Sequence, residues 1–149
     1  MKNILLIISI TSFSILSLTG QKHFAFPKTP SAVVAGFYTE LAQKPAKVER
    51  GKHAAKVFEK YFSPDYVEKG GNGNKVQNFS QFKAFVSGTF TQLPNLNVTL
   101  EEVIESGEYV TVKINLKDEQ ARMNINYLAL YHVKDGKITS RYAYSDGAF

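Results

Sequence analysis

The chain predicts an α+β domain in which three N-terminal helices pack on a curved antiparallel sheet. Three observations carry this. Apolar residues recur at helical spacing as far as Leu93, then switch to a two-residue alternation from Leu96 onward. β-Branched and aromatic residues dominate the second part. Asp135-Gly136 between two apolar runs is a strong short hairpin signal.

Thr29-Pro30 supplies an N-cap and a proline at the first helical position. Val33, Val34, Phe37, Tyr38 and Leu41 follow on one face, and Lys44-Pro45 ends that helix. A second amphipathic helix spans Arg50–Phe62, weakened near Gly51. Its Lys52, Lys56 and Lys60 form a stripe opposite Ala54, Val57, Phe58 and Tyr61, the pattern of a solvated face. Ser63-Pro64-Asp65 breaks it, and Tyr66–Lys69 reads as a short strand. Gly70–Asn74 is a flexible loop. Asn78-x-x-Gln81 is a variant capping box opening a third helix, with Phe79, Phe82, Phe85, Val86, Phe90 and Leu93 inward. Pro94-Asn95 stops it.

Four strands follow: Val98–Ile104, Tyr109–Leu116, Arg122–Val133 and Ile138–Tyr144. Val110, Val112, Ile114 and Leu116 alternate with Tyr109, Thr111, Lys113 and Asn115. Ser106-Gly107, Lys117–Gln120 and Asp135-Gly136 are short connections, so the strands form an antiparallel meander. Apolar residues occur in both phases, with Met123, Ile125 and Tyr127 against Leu128 and Leu130. Two apolar faces need two covers: helices on one side and, by expectation, a second copy of the chain on the other.

The 149 residues suffice for one domain with a sizeable core. Aromatic residues make up 13%, a supply suited to a thick core or an apolar pocket. With no cysteine, disulfides, thiol catalysis and cysteine-based zinc sites are excluded. The net charge of +5 is dispersed, which argues against nucleic acid as a partner. Lys2 and the apolar run Ile4–Leu18 resemble a secretory leader and are short for a membrane span. The expected organisation is a leader over 1–20, a linker over 21–28 and a domain over 29–149, exported to the periplasm or outside the cell. No membrane attachment is expected after the leader is removed.

No motif identifies a reaction. The loop from Gly70 to Lys75 lacks the spacing of a phosphate-binding loop. His23, His53 and His132 lack metal-ligand spacing, so no metal is expected, and no cofactor motif is present. Asn78-Phe79-Ser80 and Asn97-Val98-Thr99 match glycosylation sequons, a pattern that arises often by chance.

Phe58, Tyr61, Asp65-Tyr66-Val67, Phe82-x-x-Phe85, Val103-x-x-x-Gly107-x-x-Val110 and Val133-x-Asp135-Gly136-Lys137-Ile138 resemble SnoaL-like proteins of the nuclear transport factor 2-like superfamily. The resemblance spans roughly Ser31 to Tyr144. It implies a cone-shaped fold with a cavity between sheet and helices, a fold that hosts cyclases, isomerases, dehydratases, hydrolases and binding proteins. The family pattern places a His after the Asp-Tyr-Ile/Val segment, where this chain has Lys69. It places an Asp near the end of the closing strand, where this chain has Ala143 after Arg141. Catalytic residues are therefore unassigned. Glu68, Asp146, Tyr66 or Lys69 could substitute, with Lys69 alone at a matching position.

Three functions remain open. The first is binding of a small apolar or anionic amphiphilic molecule, with Tyr66, Lys69, Arg141 and Ala143 as candidate contacts. The second is a cyclase, aldol-type or isomerase enzyme with rearranged acid–base groups. The third is a dimeric interaction module using the outer sheet face.

Overall fold

The computed structural model describes residues 28–70 and 76–145. The expected leader, the linker before Lys28, His23, the loop residues 71–75 and Asp146 lie outside the described residues.

Helix α1, Pro30–Leu41, starts where Thr29 accepts a hydrogen bond from the Ala32 amide, and it buries Val33, Val34, Phe37, Tyr38 and Leu41. A 3-10 turn at Lys47–Glu49 leads into α2, Arg50–Tyr61. The lysine stripe of α2 is exposed, and Ala54, Val57, Phe58 and Tyr61 are buried, as the pattern predicts. Gly51 is more than a weak spot in α2. A Cβ there would lie 2.0 Å from Thr91 Oγ1 and 2.8 Å from the Ser87 carbonyl oxygen, so glycine permits the close crossing of the third helix. That helix, α3, covers Phe79–Gln92 and opens with both bonds of the capping box between Asn78 and Gln81.

The six strands are β1 Phe62–Glu68, β2 Gln77–Asn78, β3 Asn97–Ser106, β4 Tyr109–Asp118, β5 Met123–Lys134 and β6 Lys137–Ser145. Their order is β2-β1-β6-β5-β4-β3. From β3 to β6 the sheet is the expected antiparallel meander. Asp135 and Gly136 take φ of 51° and 73°, the left-handed pair that a tight two-residue hairpin requires. Asp118 accepts hydrogen bonds from the Gln120 and Ala121 amides and so fixes the turn between β4 and β5.

Two features depart from the sequence reading. First, β1 begins at Phe62, directly after α2, rather than at Tyr66. Second, the sheet is mixed, not purely antiparallel: β1 runs parallel to β6, with Glu68 opposite Arg141. The chain between them passes through α3 and four strands, long enough for a parallel return. Alternation along a strand carries no signal of its direction beside a distant partner.

The β4–β5 register aligns Val110 with Tyr131, Val112 with Ala129 and Ile114 with Tyr127 on the inner face. Those residues, apart from the half-buried Tyr127, join the α1 and α2 faces in one buried core. The outer face leaves Tyr109, Leu128, Leu130, Tyr142 and Tyr144 exposed. His132 also lies there, with Nδ1 2.7 Å from Thr139 Oγ1 and Nε2 3.0 Å from Glu108 Oε2. His53 is bonded to the Glu40 carbonyl oxygen at 2.8 Å.

Candidate functional site

A cavity of about 750 Å³ opens between the helices and the inner face of the sheet. Helix α1 supplies Phe37 and Tyr38 to its wall, and α3 supplies Phe82, Phe85, Val86 and Phe90. The period of 3.6 explains the α3 set, since these residues recur on one side of the helix. Along β5 the wall takes Met123, Ile125 and Tyr127, and along β6 it takes Arg141, Ala143 and Ser145, each series at the two-residue period of a strand.

Arg141 reaches the cavity because of a bulge. Val133 pairs with Ile138, but His132 pairs with Ser140, so Thr139 is an extra residue in β6. Ile138 is fully buried on the inner face. An unbroken alternation from it would send Arg141 outward, and the extra residue resets the phase so that Arg141 points inward.

The polar groups of the site converge on Arg141. Its Nε donates to Glu68 Oε2 at 2.8 Å. The Tyr66 hydroxyl donates to the same oxygen at 2.5 Å. The guanidinium carbon lies 4.5 Å from the Phe82 ring centre and 5.9 Å from that of Tyr127. Burial acts against the Arg141 cation, yet the oxygens of Tyr131, Tyr66, Glu68 and Tyr127 around it hold its pKa well above the ordinary value. The neighbouring phenols are held protonated. Burial pushes Tyr66, Tyr131 and Tyr38 up, and their phenol neighbours add to the rise for Tyr131 and Tyr38. The Tyr38 hydroxyl bonds that of Tyr131 and lies 3.3 Å from that of Tyr127. The site is thus an aromatic cone with the Glu68–Arg141 ion pair in its wall and a row of phenol donors beside it.

The candidate residues separate into two sets. Arg141 and Ala143 share the inner face and line the cavity. Tyr66 is only 1% exposed and stands behind Glu68, packed on Phe58, Phe62 and Phe82. Lys69 is not brought to the cavity mouth with them. It is exposed on the outer side of the sheet, with Nζ 5.2 Å from the Tyr142 ring centre. The reason is parity: Tyr66 and Glu68 face inward, so Val67 and Lys69 face outward. Glu68, only 5% exposed, is the carboxylate that β1 does bring in. The same two-residue period, applied from Tyr66, marks it in the sequence.

Sequence reading missed Arg50. It is buried, donating to the carbonyl oxygens of Gln43 and Leu96, with its guanidinium carbon 4.9 Å from the Phe90 ring centre. It ties the α1–α2 connection to the start of the meander and lies outside the cavity wall.

Three helices on a curved six-stranded sheet enclosing a cone define a domain of the nuclear transport factor 2-like fold. Residues 34–141 match the SnoaL-like domain family, and the chain belongs to that family. Solved structures agree on the fold. IdmH, a candidate polyketide cyclase from Streptomyces antibioticus, superposes with a TM-score of 0.65 at 15% identity, over 80% of this chain and 93% of its own. A SnoaL-like candidate polyketide cyclase from Jannaschia sp. CCS1 gives 0.61 at 18% identity, over 80% and 90%. A candidate isomerase of the SnoaL-like family from Agrobacterium tumefaciens gives 0.61 at 10%, over 80% and 100%. No functionally curated protein matches the chain.

Proposed function

We propose that this SnoaL-like domain binds a small, largely apolar molecule in the cone, without the acid–base catalysis usual for the family. The observation that carries the reading is the aromatic cavity of about 750 Å³ with Arg141 in its wall. Ligand pockets typically measure ~300–1,000 Å³ and combine apolar walls with a few directed polar groups. Ala143 stands where the family pattern has a carboxylate, and Glu68 accepts from both Arg141 and Tyr66. Both bonds end on Oε2, so that oxygen is already committed as an acceptor, a poor start for a general base.

The test is calorimetric titration with methyl 2-naphthoate, beside the variant Ala143→Phe. The added ring projects into the cavity on the Arg141 side and blocks the space against the guanidinium. Binding by the native protein, lost in a variant that unfolds within about 1 kcal/mol of it, is the expected result. Equal binding by both proteins would move the ligand to the surface and sink the proposal.

The second reading is the cyclase or isomerase, favoured by the names borne by the IdmH and Agrobacterium structures. The sheet's exposed outer row, including Tyr109, Leu128 and Tyr144, supports a symmetric homodimer in addition. Light scattering at micromolar concentration is expected to give twice the chain mass, and a monomer mass counts against self-association.

A further inference from the structure

We infer that Glu68 is a charge filter: by neutralising Arg141 inside the cone, it makes the site select an uncharged oxygen acceptor over a carboxylate. The inference rests on the cavity-binding reading and adds the class of head group.

Arg141 taken alone invites an anion. The cavity wall as a whole has a different charge count. Among the described residues, the charged side chains in the cavity wall are Glu68, Arg141 and Arg122. Arg122 is exposed on the β4–β5 turn, where water and salt screen it. The inner pair sums to zero at 2.8 Å. The other titratable groups around it are Tyr66 on β1, Tyr127 and Tyr131 on β5, and Tyr38 on α1, while α3 presents the Phe82 ring. Tyr66 already donates to Glu68, and Tyr38 and Tyr127 line the cavity with their phenol donors. A carboxylate entering beside Glu68 would leave one buried negative charge in excess, in walls that are mostly aromatic. Buried charge without a partner is costly, whereas a ketone or ester oxygen needs only a donor. The guanidinium and the phenol row offer donors without demanding a counter-charge.

The probes are 2-naphthoic acid and methyl 2-naphthoate, titrated into the whole protein by calorimetry at several pH values. The ester is expected to bind at least about tenfold more tightly than the acid at pH 7. The acid is expected to bind as its neutral form, so its affinity falls about tenfold per pH unit above the acid's own pKa. This second readout needs no variant. In Glu68→Gln the amide oxygen can still accept from Arg141 and Tyr66, but the site gains a net positive charge. The preference is expected to invert, with the acid gaining about tenfold or more. Native protein that prefers the acid, or whose affinity for it is independent of pH, overturns the filter and leaves the cavity reading standing. If neither probe binds the native protein, the cavity reading fails and the filter with it.

Discussion

Arg141→Met is expected to lose about 3–5 kcal/mol of stability in urea unfolding, one of the two largest single-residue effects anticipated in this chain. The loss has less to do with the missing bond than with the carboxylate left behind. Glu68 is 5% exposed and loses its counter-charge, keeping only the Tyr66 hydroxyl as donor. The aromatic rings packed around the pair supply no second cation to take the guanidinium's place. The double variant Glu68→Gln with Arg141→Met removes the charge together with its partner. It is expected to recover to within about 1–2 kcal/mol of the native protein, since a neutral replacement of a buried pair is often tolerated. The coupling from the four proteins of this double-mutant cycle is therefore large. A double variant as unstable as Arg141→Met alone would show that the guanidinium stabilises by packing on Phe82 rather than by pairing with Glu68.

Phe58→Ala is expected to cost about 3–5 kcal/mol in the same measurement. Phe58 is fully buried where α2, β1 and α3 meet. Its ring stacks on Phe62 at 3.9 Å between centres and meets Tyr66 at 5.7 Å, Phe82 at 5.6 Å and Phe79 at 5.2 Å. Truncation removes one ring from each of these pairs and opens a void that three elements cannot close together. Phe85→Ala is the matched control. Phe85 lies on α3 and lines the cone, yet it is 48% exposed and borders space that is already open. Its truncation is expected to cost no more than about 1 kcal/mol. Similar losses in the two variants would mean that the Phe58 cluster does not anchor the helices to the sheet.

A cavity and a core built from the same residue type follow from this division. Phe58 and Phe62 close on each other, while Phe82, Phe85 and Phe90 face partly across a gap. The high aromatic content is thus spent on both the core and the pocket, and composition alone does not separate the two uses.

What the sequence determined by itself was local. Thr29-Pro30, the Asn78–Gln81 box and Asp135-Gly136 set element ends through bonds and backbone angles made within a few residues. The alternation along β4 and β5 placed Val110, Val112 and Ile114 inward, because a strand's period does not depend on its partner. The same period along β6 put Arg141 and Ala143 on one face. What only the tertiary structure decided was which distant groups meet. Glu68 and Arg141 are 73 residues apart, and they pair because β1 lies parallel to β6. The inward turn of Arg141 depends on Thr139, the bulge residue opposite the His132–Val133 step. Lys69, matched to a family position by sequence, faces outward by the same geometry that brings Glu68 in. Local preferences act through neighbours along the chain and are legible there, whereas the charge of a buried site is a sum over residues that only the completed sheet brings together.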